Sequence, residues 1–196
     1  MLAHLSTPVR VLTLTIALAA LLAVGAASAR AAVTPTVSTK YYSFTGQTVV
    51  AMRADINRVR PGTQDASARG TVNWGWHHVI SASGRCSFDR TAVTLREAFL
   101  MPRWASREGA PADVAHAWDV YIARLWVHEK GHQALSQKAA NAVAVKLNKM
   151  GSFASCASLD TAANKAASVI MARQQQAQVA YDARTQHGAT QGAVFG

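Results

Sequence analysis

Between Pro111 and Met150 the residues Val114, Trp118, Tyr121, Leu125, His128, His132, Leu135 and Ala139 recur three or four positions apart. That period matches the turn of an α-helix, so the stretch predicts one long amphipathic helix whose buried stripe carries two histidines. A stripe of this length has to be covered by the rest of the chain. The covering layer must also supply partners for the imidazoles, because buried polar groups without hydrogen bonds are costly.

The two histidines belong to His128-Glu129-Lys130-Gly131-His132, an H-E-x-x-H pattern. Positions i and i+4 of a helix share a face, so both rings can reach one zinc ion. Glu129 projects from the adjacent flank, where a carboxylate can take a proton from metal-bound water. With 7 His in the chain, random placement yields the pattern only about 0.004 times per chain. The competing reading is a pair of core histidines, each of which needs its own hydrogen bonds.

A catalytic zinc requires a third protein ligand. A metzincin has glycine and histidine at the positions held here by Leu135 and Lys138, which excludes that class. No glutamate follows Glu129, so a downstream glutamate ligand is excluded as well. The downstream candidates are His187, Asp182 and Asp160. His187 is the expected ligand, being the only histidine after His132 and lying beside Gly188 in a tail able to fold back.

Elsewhere Lys40 to Phe44 reads as a strand. Thr48 can cap a short helix carrying Val49, Met52, Ile56 and Val59, which Pro61-Gly62 stops. Val72, Trp74, Trp76, His78 and Ile80 alternate as in a half-buried strand, and Arg85 to Leu95 suits one or two more. Asp160 can cap a second long helix carrying Ala163, Ala167, Ile170, Gln174, Ala177 and Tyr181, followed by an irregular tail from Thr185. His77 and His78 are adjacent, so a strand points them to opposite faces and they cannot easily chelate one ion together. The expected architecture is a single α+β domain over residues 40–196: a small antiparallel sheet with a short helix, then two long helices, the first bearing the H-E-x-x-H.

Residues 1–29 read as a secretory signal peptide. His4 and Arg10 form a basic start, Val11 to Val24 an apolar run, and Ala27-Ser28-Ala29 a small-residue cleavage pattern. The run falls short of the ~20 residues that span a bilayer, so no stable membrane span is expected after cleavage. Residues 30–39 read as a linker. Secretion or periplasmic location implies an oxidising compartment, which favours a Cys86–Cys156 disulfide over two separate buried thiols.

The formal net charge of +10 comes from dispersed basic residues. Nucleic-acid modules concentrate such charge and interleave aromatics, so no nucleic-acid partner is expected. Loose attraction to anionic cell-envelope polymers fits the charge better.

A series of motifs brings a family into view. It comprises Tyr41-Tyr42, the tryptophan-bearing strand before Cys86, Pro102-Arg103-Trp104, and Trp118-x-x-Tyr121 leading into His128-Glu129-x-Gly131-His132. The closing Tyr181-Asp182-x-x-Thr185-x-His187-Gly188-x-x-Gln191-Gly192-Ala193 completes it. Together they resemble a bacterial family of predicted secreted zinc-dependent proteases, long treated as a domain of unknown function. The resemblance runs from about Tyr41 to Ala193. It implies a zincin-like peptidase with His128 and His132 at the metal positions and Glu129 at the catalytic one. His187 matches the closing element, and Asp182 matches too, as a rival ligand or as a partner for a zinc-bound imidazole.

The function expected from residues and resemblance is a secreted zinc metallopeptidase with a peptide or protein substrate. His128, His132 and His187 hold Zn2+, Glu129 is the general base, and Tyr181 is a candidate donor to the oxyanion. The alternative is a secreted envelope-binding protein with a structural or inactive zinc site, using Trp74, Trp76 and Trp104 as a platform.

Overall fold

The computed structural model describes residues 32–196, so the leader reading falls outside the described residues. Three strands and three helices follow in the order β1 (Pro35–Phe44), α1 (Val49–Val59), β2 (Ser67–Ile80), β3 (Cys86–Trp104), α2 (Ala112–Asn148) and α3 (Cys156–Thr185). A short 3₁₀ turn, Ala189–Gln191, closes the chain. The fold is α+β, with the helices against one face of the sheet.

The sheet is mixed rather than wholly antiparallel, with strand order β1-β3-β2. β2 and β3 form the expected hairpin, with a register shift between His77 and His78. β1 pairs parallel to β3, Pro35 opposite Leu95 and Phe44 opposite Trp104. The difference has a topological cause. The connection through α1 carries the chain past one strand's width to β2, which runs opposite to β1, and the β2–β3 hairpin then brings β3 back into the gap in the same direction as β1. The pairing also draws Pro35 to Thr39 into β1, so half of the expected linker is strand; proline is tolerated there as the first residue of an edge strand.

β3 explains why the helices sit where they do. Leu95, Glu97, Phe99 and Met101 are buried while Arg96 and Ala98 are exposed, the period of two that turns one face to the helices. On that face Phe44, Met52, Ile56, Phe99, Met101 and Trp118 form the main core beneath α1 and the first half of α2. Each such side chain contributes roughly 1.5–3 kcal/mol on burial. A second cluster of Val143, Leu147, Ala163 and Ala167 joins the far half of α2 to α3, with Trp74 and Trp76 packed on it. Trp104 is 6% exposed, and Trp74 and Trp76 are half-buried against that second cluster.

The helix ends follow local chemistry. The Thr48 side chain accepts from the Ala51 N–H, as its position predicts. α3 begins earlier than expected because Ser155, not Asp160, is its N-cap, accepting from the Ser158 N–H. Cys86 and Cys156 form the disulfide that ties this helix start to β3, with Cα atoms 5.1 Å apart. The tail is less irregular than predicted. It folds back so that Phe195, 4% exposed, stacks on Tyr121.

Candidate metal centre

His128 and His132 sit one turn apart on α2 and are 3% and 9% exposed. Opposite them, α3 presents Tyr181 and Asp182. The helices approach closely at this crossing because position 131 is glycine: a Cβ there would lie 2.0 Å from the Tyr181 hydroxyl oxygen. The Tyr181 ring consequently stacks on His128 at 5.1 Å, with planes 9° apart. Its hydroxyl donates to the His128 carbonyl at 3.2 Å and accepts from the Gln191 amide at 3.1 Å. Tyr181 thus holds the ring from behind and is not among the residues lining the cavity.

Each imidazole is oriented through its Nδ1. His128 Nδ1 lies 3.0 Å from Gln191 Oε1, and His132 Nδ1 lies 2.5 Å from Gln178 Oε1. The Gln178 amide is turned the right way for this, since its Nε2 donates to the His132 carbonyl and to Ser136 Oγ. A carbonyl oxygen can only accept, so both Nδ1 atoms carry the proton and both Nε2 atoms offer lone pairs. Burial above all pushes the His128 imidazole below its usual range, opposed by the hydrogen bond to Gln191 and reinforced by His132.

Those two Nε2 atoms face each other at 3.2 Å. Asp182 Oδ1 lies 3.2 Å from the first and 2.9 Å from the second. Two imidazole nitrogens and a carboxylate oxygen this close need positive charge between them, from a proton on an Nε2 or from a metal ion. Ligands on a tetrahedral zinc, at ~2.0–2.1 Å from the ion, stand about 3.3 Å apart. The donor set of two imidazoles and one carboxylate therefore fits such an ion in both chemistry and spacing.

Asp182, not His187, supplies the third atom of this compact group. His187 stands at its edge, with Nδ1 3.5 Å from Asp182 Oδ1 and its side chain 53% exposed. Asp160 is remote: it lies 22 residues before Asp182 on α3, about 33 Å along the helix axis, and pairs with His78 at 2.7 Å. His77 pairs with Asp89.

Glu129 occupies the flank toward the sheet, 3% exposed. It faces the Ala68 backbone of β2, an edge strand, whose N–H acts to lower its carboxyl, and its Oε2 has no partner among the described residues. Burial first, then Asp182 and Glu97, pushes its carboxyl up to about 8. A cation beside it reverses that tendency and favours the carboxylate.

A cavity of about 650 Å³ opens over these groups, bounded by β2, α2, α3 and the tail. Three features of the site were not assigned a role from the sequence. Gln178 and Gln191 orient the imidazoles from sites far away in the chain. Glu97 sits on the core face of β3 with neither oxygen partnered among the described residues, and its carboxyl is pushed up to about 7 by burial. Arg53, Arg60, Asp65 and Tyr121 gather at one end of the cavity. Of these, Tyr121 was placed on the stripe of α2 and Gln191 in the closing motif, neither with a role, and Glu97 lay beyond the expected strand, which ended at Leu95.

No curated protein and no solved structure matches the chain. Residues 39–188 match the family described as "Bacterial protein of unknown function (DUF922)", a span that includes the second half of β1, all of α1, β2, β3, α2 and α3, and the whole His128–His132–Asp182 group. The chain belongs to that family.

Proposed function

We propose that the chain is a secreted zinc-dependent peptidase whose metal is held by His128, His132 and Asp182. The observation that carries this reading is the pair of Nε2 lone pairs facing each other at 3.2 Å with Asp182 Oδ1 beside both. Zinc bound there supplies Lewis acidity, polarising a carbonyl and acidifying a water. Glu129 accepts the proton of the attacking water and delivers it to the leaving amine, a role suited to a buried carboxylate with one unpartnered oxygen. Gln178 and Gln191 fix the imidazoles so that neither ring has to reorient. The 3.5 Å approach of His187 to Asp182 sets it at the rim, positioned to interact with bound substrate. The leader pattern of residues 1–29 and the Cys86–Cys156 disulfide support secretion. No helix among the described residues is long and apolar enough to cross a membrane.

Glu129→Gln keeps the size of the side chain and removes the proton acceptor. The zinc-loaded variant is expected to lose peptide hydrolysis by at least about a hundredfold while retaining its metal. Turnover at the parent rate would remove Glu129 from the reaction.

A further inference from the structure

The cavity is electrically lopsided. Near Tyr121 the cavity is lined by Arg53 and Arg60 with Asp65 between them; beyond His132 its lining includes the amides of Gln174, Gln175 and Gln178. Asp65 cannot neutralise the first end. Its Oδ1 accepts from Arg60 Nη1 at 2.8 Å, and its Oδ2 accepts from Arg53 Nη1 at 2.5 Å and from the Tyr121 hydroxyl. One carboxylate thus faces two guanidiniums. Burial alone would raise Asp65, but the hydrogen bonds from Tyr121 and Arg53 outweigh it and keep the carboxyl ionised.

The two buried-side arginines differ in what they have left to give. Arg53 donates Nε and Nη2 to the Phe195 carbonyl, so most of its fork holds the tail in place. The Arg60 side chain makes one hydrogen bond among the described residues, to Asp65, and is 25% exposed on the cavity. A guanidinium carries five N–H donors and stays charged, so Arg60 retains donors to clamp a planar anion. Tyr121, which touches Asp65, and Glu129 are eight residues apart on α2, a distance of about 12 Å along the helix. An extended peptide covers that span in three to four residues.

We infer that this end of the cavity is a carboxylate subsite, in which Arg60 selects substrates bearing an acidic group three to four residues from the bond that Glu129 attacks. The placement of the cut rests on the peptidase reading; the anion subsite does not. The carboxylate comes either from an Asp or Glu side chain or from the C-terminus of a short peptide.

The test is equilibrium capture on the full zinc-loaded chain carrying Glu129→Gln. The probes are pools of nine-residue peptides with Glu placed at each position in turn, matched pools with Gln, and both sets made as free acids and as C-terminal amides. At low salt the Glu pools are expected to be retained about tenfold over their Gln counterparts in one register. Adding Arg60→Gln should bring the ratio to near one, and Arg60→Lys should preserve part of it. A preference that survives amidation assigns the side chain as its source; one abolished by amidation assigns the terminus. Equal retention of Glu and Gln pools in both C-terminal forms, or an undiminished preference in Arg60→Gln, overturns the subsite. Mapping cuts with the Glu129 chain separates the two claims. Acid-selective capture without any cleavage counts against the peptidase reading alone, and cleavage indifferent to acid counts against the subsite alone.

Discussion

Glu97 is the residue that the local pattern explains least. It occupies a core-facing position of β3 between Leu95 and Phe99, opposite Gly70 in the neighbouring strand, where an apolar side chain fits the alternation. The folded protein holds its proton up to about pH 7, whereas the unfolded chain releases it near 4.5. Its contribution is therefore fully favourable below pH 4.5 and is lost as pH rises through 7, by on the order of 3 kcal/mol. Glu97→Gln cannot ionise, so the variant's stability relative to the parent should increase between pH 5 and pH 8 in urea unfolding. A difference that stays constant with pH would contradict the burial assigned to this carboxyl. Residue-scale legibility was uneven for a physical reason. His128, Glu129 and His132 are close in sequence and in space, so helical spacing alone brings them together. Asp182 and Gln178 join them only through the packing of a second helix, whose rotation about its axis the sequence does not specify. Ligand type favoured His187, while geometry placed Asp182 against both Nε2 atoms.

The crossing of α2 and α3 is what makes these five side chains a site, and it depends on Gly131. In an exposed helix interior Gly→Ala stabilises by about 1 kcal/mol. Here the added Cβ would meet the Tyr181 hydroxyl oxygen at 2.0 Å and its Cζ at 2.3 Å, so the helices must part. Gly131→Ala should therefore destabilise the fold by roughly 1–3 kcal/mol, the usual cost of overpacking, and weaken metal binding. A variant more stable than the parent in thermal unfolding would mean that the helices are not in close contact there. Helix positions were readable because their periods are long and their breakers strong, as with Thr48 before α1 and Pro61 after it. The direction of β1 was not. Lys40 to Phe44 has the composition of a strand whichever way it runs, and its parallel pairing is set by a crossover that only the tertiary fold reveals.

For the whole molecule, a three-stranded sheet with one covered face is held to its helices at two places. The tail anchors one end by burying Phe195 against Tyr121 and Trp118. The Cys86–Cys156 bridge anchors the other, closing a segment with a sequence separation of 70. In the chain-entropy model a loop of that length contributes about 4 kcal/mol. Replacing both cysteines by serine should lower the unfolding free energy by about 2–4 kcal/mol, and the same loss should follow reduction of the parent chain. Unchanged unfolding under reducing conditions would show that the bridge is not a structural anchor. The disulfide was readable from two cysteines and a leader pattern, because the choice of compartment settles the pairing of the only two thiols.

The proposal that His128, His132 and Asp182 hold one zinc ion is tested most directly by elemental analysis of the purified chain after dialysis without chelator, beside Asp182→Ala and His187→Ala. The expected result is close to one zinc per parent chain, a clear loss in Asp182→Ala and retention in His187→Ala. A zinc-free parent chain, or full retention in Asp182→Ala, would contradict it.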